Sequence, residues 1–220
     1  MAIENTGKEK LDGTRQSVLP AAPVDYNRRY QDDLNNLLRL YFTQVDGFTA
    51  ALLDAQAVRY LSAPNGAFHS SANQTAASTT TAYVVTFSDT DASTGVTLVS
   101  GSRLTVAHSG RYNIQFSIQL QNTTNAPADI DVWFRKNSDA NTVANSNSRF
   151  GLAARKAVGD PFHMVGTVNI LLDLQASDYV ELVWCTSAIG ADIAAYSAGT
   201  SPTRPAVPSV IATMTYVSRL

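Results

Sequence analysis

The chain has 220 residues, 45% of them hydrophobic and 15% charged, with a formal net charge of -2. Charged residues fall below the usual share of about 25%, and Ser, Thr, Asn and Gln take their place. No long block of Lys or Arg occurs, which excludes the electrostatic footprint of a nucleic-acid binder. No window reaches the length of a membrane span, and Cys185, the only cysteine, cannot form an intrachain disulfide.

Residues 1–24 form a polar tail ending in "LPAAPV", where Pro20 and Pro23 favour extended backbone. The tail lacks the apolar core of a secretory signal, so the expectation is a soluble chain made in a cytoplasm. Residues 25–56, "DYNRRYQDDLNNLLRLYFTQVDGFTAALLDAQ", are predicted to be helical, with Asp25 as N-cap and Asp32 and Asp33 favouring the early turns. Leu34, Leu38, Tyr41, Val45, Phe48 and Leu52 recur at spacings of four and three, the period of a coiled-coil seam. An amphipathic helix lying on its own domain fits the same pattern. Leu37, Leu40 and Phe42 widen the apolar surface, which suits a three-stranded bundle or a helix docked on a larger partner. Gly47 weakens such a helix by about 1 kcal/mol relative to Ala.

Pro64, Asn65 and Gly66 break the chain, and residues 57–81 are expected to hold a linker and a first strand. From residue 82 to 220 nearly every run has strand character: "AYVVTFS", "VTLVS", "SRLTVAHSG", "RYNIQFSIQLQ", "IDVWFRKN", "SRFGLAARKAV", "HMVGTVNILLDL", "DYVELVWCTS", "DIAAYSA" and "PSVIATMTYVSRL". "DTDASTG" interrupts them as a turn-rich segment. Strands of this length and spacing predict a mainly β protein, an antiparallel jelly-roll β-sandwich behind the tail and one α-helix.

The faces of these strands carry information. In "SGRYNIQFSIQLQ" one parity holds Tyr112, Ile114, Phe116, Ile118 and Leu120; the other holds only amides and a hydroxyl, Asn113, Gln115, Ser117, Gln119 and Gln121. In "HMVGTVNILLDL" the second parity is Val165, Thr167, Asn169, Leu171 and Asp173, and in the closing strand it is Ile211, Thr213, Thr215 and Val217. A solitary sandwich needs one apolar face per strand. Second faces of Val, Ile, Leu and Thr therefore point to packing against another subunit.

Residues able to do chemistry are sparse. His69, His108 and His163 lie at no metal-ligand spacing, and no nucleophile elbow, Walker motif or dinucleotide fingerprint occurs. Asp89 and Asp91 suit a hairpin turn better than a calcium loop. Asp129 and Asp131 suit a solvated pair on one strand face. Cys185 is expected to pack as a small apolar side chain. Trp133 shares its parity with Asp131 and Arg135; it stacks on a sugar if exposed, although burial or an intersubunit contact is the ordinary fate of so large a side chain. No cofactor, metal or catalytic residue is expected.

"SGRYNIQFSIQLQ", "LLDLQASDYVELVW" and "SVIATMTYVSRL" resemble strands of the jelly roll shared by tumour necrosis factor and the globular head of the first complement component. "GAFHSSANQTAASTTTAYVVTFSDTD", "VWFRKNSDANTVANSNS" and "YNRRYQDDLNNLLRLYFTQVD" resemble fibre, head-fibre and decoration modules of tailed bacteriophages, notably marine and cyanobacterial ones. The complement head's calcium site and collagen stem have no counterpart. The resemblance implies a homotrimeric virion protein, assembled in the host cytoplasm, that touches other virion proteins through residues 1–56 and displays the head at residues 82–220. It implies trimer contacts by Leu34, Leu38, Tyr41, Val45, Phe48, Leu52 and, near the axis, Tyr216. A fibre or spike would attach to host-surface glycan through loops such as "RKNSDANTVANSNS" and "AYSAGTSPTRPAVPS"; a capsid decoration protein would cement the shell; a polysaccharide depolymerase is the remote alternative. Neither nucleic acid nor a membrane is an expected partner.

Overall fold

The computed structural model describes residues 28–53 and 63–220. The chain divides into two units at residues 63 and 64. In the first, α1 spans Arg28–Leu53. The expected N-cap Asp25, the tail of residues 1–24 and the end of the expected helix lie outside the described residues. Leu34, Leu37, Leu40, Tyr41, Phe42 and Val45 are all exposed on α1, and Leu38 is half-buried. Phe48 and Leu52 fall within α1, but their side chains lie outside the described residues. Among the described residues no helix is long and apolar enough to cross a membrane.

The second unit is built from strands whose alternation sends every second side chain inward. Its strands are β1 (Asn65–Ser70), β2 (Tyr83–Val84), β3 (Asp89–Thr94), β4 (Val96–Val99), β5 (Arg103–Val106), β6 (Gly110–Asn122), β7 (Ala128–Lys136), β8 (Ser148–Leu152), β9 (Phe162–Leu174), β10 (Tyr179–Thr186), β11 (Ala191–Ile193) and β14 (Val210–Ser218). A small hairpin, β12 (Gly199–Thr200) with β13 (Thr203–Arg204), projects before the last strand.

One sheet runs β3, β1, β14, β6, with β9 and β11 also on β6; the other runs β4, β5, β10, β7, β8, with β2 also on β10. The pairing is nested. β1 pairs with β14, β5 with β10, β6 with β9 and β7 with β8, all antiparallel. A long hairpin wound in this way into two sheets is a jelly roll, and the protein is a mainly β sandwich of that class.

The core lies between the sheets. Tyr112, Ile114, Phe116, Ile118 and Leu120 of β6 meet Ile130, Val132 and Phe134 of β7, with Phe116 and Phe134 edge to face at 5.7 Å. Trp184 of β10 is fully buried beside Tyr83. Gly110 starts β6 where the Tyr216 ring lies against its backbone, so a Cβ there would overlap that ring.

Two segments depart from expectation. "DTDAST" is an extended edge strand, β3, rather than a turn, with all six residues exposed. Polar and charged residues at an edge discourage further strand pairing, so their polarity marks the edge, not a bend. The turn comes one residue later at Gly95, whose φ is +66°. In residues 71–82 the threonines have the β propensity of a strand, yet beyond β1 the segment holds only an isolated bridge at Gln74. Long-range bonds order them instead: the Gln74 side chain bridges to the Thr86 backbone, and Tyr83 Oη accepts from the Ala77 and Ser78 N–H groups.

Candidate self-association face

β6 lies between β14 and β9, and the register aligns their outward side chains in rows. Ile211, Ser117 and Thr167 form one row; Thr213, Gln115 and Asn169 the next; Thr215, Asn113 and Leu171 the third. Val165 extends the face beside Gln119. These rows contain no charged side chain. Charge enters at the margin, where Arg111 donates through Nε and Nη2 to the two Asp173 carboxylate oxygens at 2.7 and 2.9 Å. The Arg111 hydrogen bond holds the Asp173 carboxyl below its ordinary pKa.

The face exposes sizeable apolar surface. Val165 is 52% exposed, Leu171 55%, Ile211 42% and Val217 50%. A shallow depression lies between Gln115, Ser117, Ile211 and Thr213. On β6, Asn113 Oδ1 is shielded from water with no donor among the described residues. Such a face can be covered by a second protein without stripping water from an ion, which is the dominant cost of burying polar surface.

The expected contact residues divide. The helical ones that the structure describes are exposed or half-buried on α1. Tyr216 is not on the outer face: it lies in the subunit's own core, 8% exposed and edge to face with Tyr112 at 5.5 Å. It shares the inward parity of Val210, Ala212 and Met214, so the outer surface of β14 belongs to Ile211, Thr213, Thr215 and Val217.

The other candidates are scattered. Trp133 points outward from β7, half-buried, packed in register beside Val183 of β10, so it is not a core residue. Cys185 also lies on that outer side, half-buried, where burial and the nearby Asp131 carboxylate raise its thiol pKa. Asp131 binds Arg149 at 2.9 and 3.0 Å and accepts from Asn147, and the Arg149 hydrogen bond lowers its pKa. Asp89 and Asp91 flank His69 on the edge strand, with His69 Nδ1 2.9 Å from Asp91 Oδ2. His163 Nδ1 sits 2.8 Å from the Tyr196 hydroxyl. Among the described residues no three His, Cys, Asp or Glu side chains gather as a metal site.

No local pattern in the sequence marks Glu181. Its carboxylate is 3% exposed on the outer side of the second sheet and accepts from Ser102, Arg135 and Arg103. Burial alone would raise its pKa, but the hydrogen bonds from Ser102 and Arg135 and the charges of Arg135 and Arg103 together hold it below the ordinary value. Arg103 in turn covers the Tyr179 ring at 4.6 Å. Register alone puts Glu181 opposite Arg135, so only the strand pairing reveals the pair.

No family model matches the chain. No curated protein matches it either. Among solved structures it is similar to the globular domain of zebrafish complement 1qA protein, at 12% identity and a TM-score of 0.42, over 71% of this chain and 98% of that one. The likeness is distant, and the fold assignment stands on the nested strand pairing.

Proposed function

We propose that the protein is a non-enzymatic structural protein of a tailed-bacteriophage virion, a homotrimeric fibre or spike held to the particle through residues 1–56 and displaying the sandwich as an attachment head. The observation that carries self-association is the uncharged, partly apolar outer face of β6, β9 and β14. The exposed apolar width of α1, beyond a two-stranded seam, supports three copies rather than two. The virion placement comes from the resemblance of the quoted segments to phage modules; no comparison with a known protein bears on it.

Light scattering on the full chain at micromolar concentration tests the assembly. The expected mass is three times the 23.6 kDa of one chain; a stable monomer would overturn it. A capsid decoration role uses the same trimer and is favoured by the apolar surface of α1, which offers a docking helix. Adsorption of the purified protein to host cells separates the two, since a fibre head adsorbs and a decoration protein does not. Release of reducing ends from host envelope glycan would instead mark a depolymerase.

A further inference from the structure

On the outer side of the second sheet, away from the β6, β9 and β14 face, a groove of about 440 Å³ opens beside Trp133. It is shallow and open to solvent, so a ligand resting there would keep one side in water. Its floor is Trp133 with Cys185 and Asp131, and its wall is the β7 to β8 connection at Thr142, Asn145 and Asn147.

The wall is held in place by its own bonds. Val143 N–H donates to the Phe134 carbonyl at 2.9 Å, Phe134 N–H donates to Ser146 Oγ at 3.0 Å, and Ser146 Oγ–H donates to the Val143 carbonyl at 2.8 Å. Arg135 bridges to Thr142, and the Lys136 N–H donates to the Asn141 carbonyl. Asn145 takes a φ of 60°, the left-handed region that Asn tolerates. A loop already fixed in shape loses little freedom when a ligand arrives.

The chemistry of the groove is selective. Trp133 offers an aromatic surface and an indole N–H with no partner among the described residues. Asn145 and the Thr142 hydroxyl make no side-chain hydrogen bond there, and Asn147 donates to Asp131 at 3.2 Å, leaving its carbonyl oxygen as an acceptor. The single carboxylate, Asp131, is neutralised by Arg149. Among the described residues no unpaired cation lines the groove, which disfavours phosphate, sulfate or an acidic sugar. The hydroxyl and amides disfavour a purely apolar ligand, because they would be left unpaired.

We infer that this groove binds a neutral pyranose sugar, its C–H face on Trp133 and its hydroxyls on Asn145, Asn147 and Thr142. The inference deepens the attachment role proposed above and rests on it for its biological setting. Each hydroxyl both donates and accepts, as does each amide side chain, so adjacent hydroxyls can be met in pairs. Val183 beside Trp133 in register and the fixed loop keep the aromatic side chain in one place.

The test is a titration of the full chain, isotopically labelled, with the methyl pyranosides of glucose, galactose, mannose and N-acetylglucosamine, and with sialic acid and inorganic phosphate as anionic arms. Saturable shifts of the Trp133 indole N–H and the Asn145 amide with at least one neutral sugar are expected. Trp133→Ala should weaken binding by about tenfold or more, as loss of a stacking aromatic does elsewhere, and Asn145→Ala by several-fold. The Trp184 indole, deep in the core, reports that each variant stays folded. No shift with any neutral sugar up to about 50 mM, a range already beyond useful affinity, would overturn the inference. So would equal binding by Trp133→Ala, or binding of the anions alone. Mass is measured on the same samples: a monomer that binds sugar supports the groove and sinks the trimer, and a trimer that binds none does the reverse.

Discussion

Asp192 and Glu181 are both buried carboxylates, and they act on stability in opposite directions. Asp192 is 7% exposed and receives one hydrogen bond, from the Ala76 N–H, so burial raises its pKa. A raised carboxyl pKa in the folded state costs nothing at acid pH and costs more as pH climbs through it. Asp192→Asn keeps the acceptor and removes the charge. It should raise the melting temperature at pH near 7 and have no such effect near about pH 3, below the ordinary carboxylate range. Glu181, with its lowered pKa, stabilises the fold above the unfolded value, and that contribution is lost as pH falls through the folded value. Glu181→Ala leaves Arg135, itself 14% exposed, with only Asp139. A cost of about 3 kcal/mol is expected, a fall of roughly 6–12 °C in a thermal melt at neutral pH. Neither residue was visible as special in the sequence, because each owes its burial to a distant segment. Trp133 is a different case. The parity of Asp131 and Arg135 already pointed it outward, and the structure rules out inward burial while leaving it half-buried on that outer side.

At the scale of strands, alternation was the legible signal. The inward sets of β6, β9 and β14 are those the sequence separates by parity, and the outward sets are neutral apart from the Arg111 and Asp173 pair at the margin. β3 was hidden because an exposed edge strand has no apolar parity to betray it. Residues 71–82 owe their order to Asp192, Thr86 and Tyr83, none of which a local pattern can reveal. The candidate face was legible as a set of residues, but its rows depend on register, and the parity that separates Tyr216 from Ile211, Thr213, Thr215 and Val217 is the one the structure shows. Ile211 tests the face. It is 42% exposed beside Ser117, and an Arg there would bury an unpaired charge in any covered sheet. Ile211→Arg should leave the circular dichroism of the subunit unchanged while reducing the scattering mass to that of one chain, 23.6 kDa. An unchanged oligomer would place the contact elsewhere.

Across the whole molecule, one unit is a helix with exposed apolar side chains and the other a sandwich with one outer face whose central rows carry no charge. The described residues of each unit expose apolar side chains, and burying such surface stabilises by about 25 cal/mol per Å². Hydroxyl-radical footprinting of the wild-type chain measures that cover directly. Val165, Leu171, Ile211 and Val217 are 42–55% exposed in the subunit, comparable to Val99 at 42% and below Ile189 at 61% and Val158 at 84%. If sister copies cover the β6, β9 and β14 face, the first four side chains resist oxidation while Val99, Ile189 and Val158 are modified readily. Equal modification of the two groups in proportion to their exposure would show that face open to water and contradict the account.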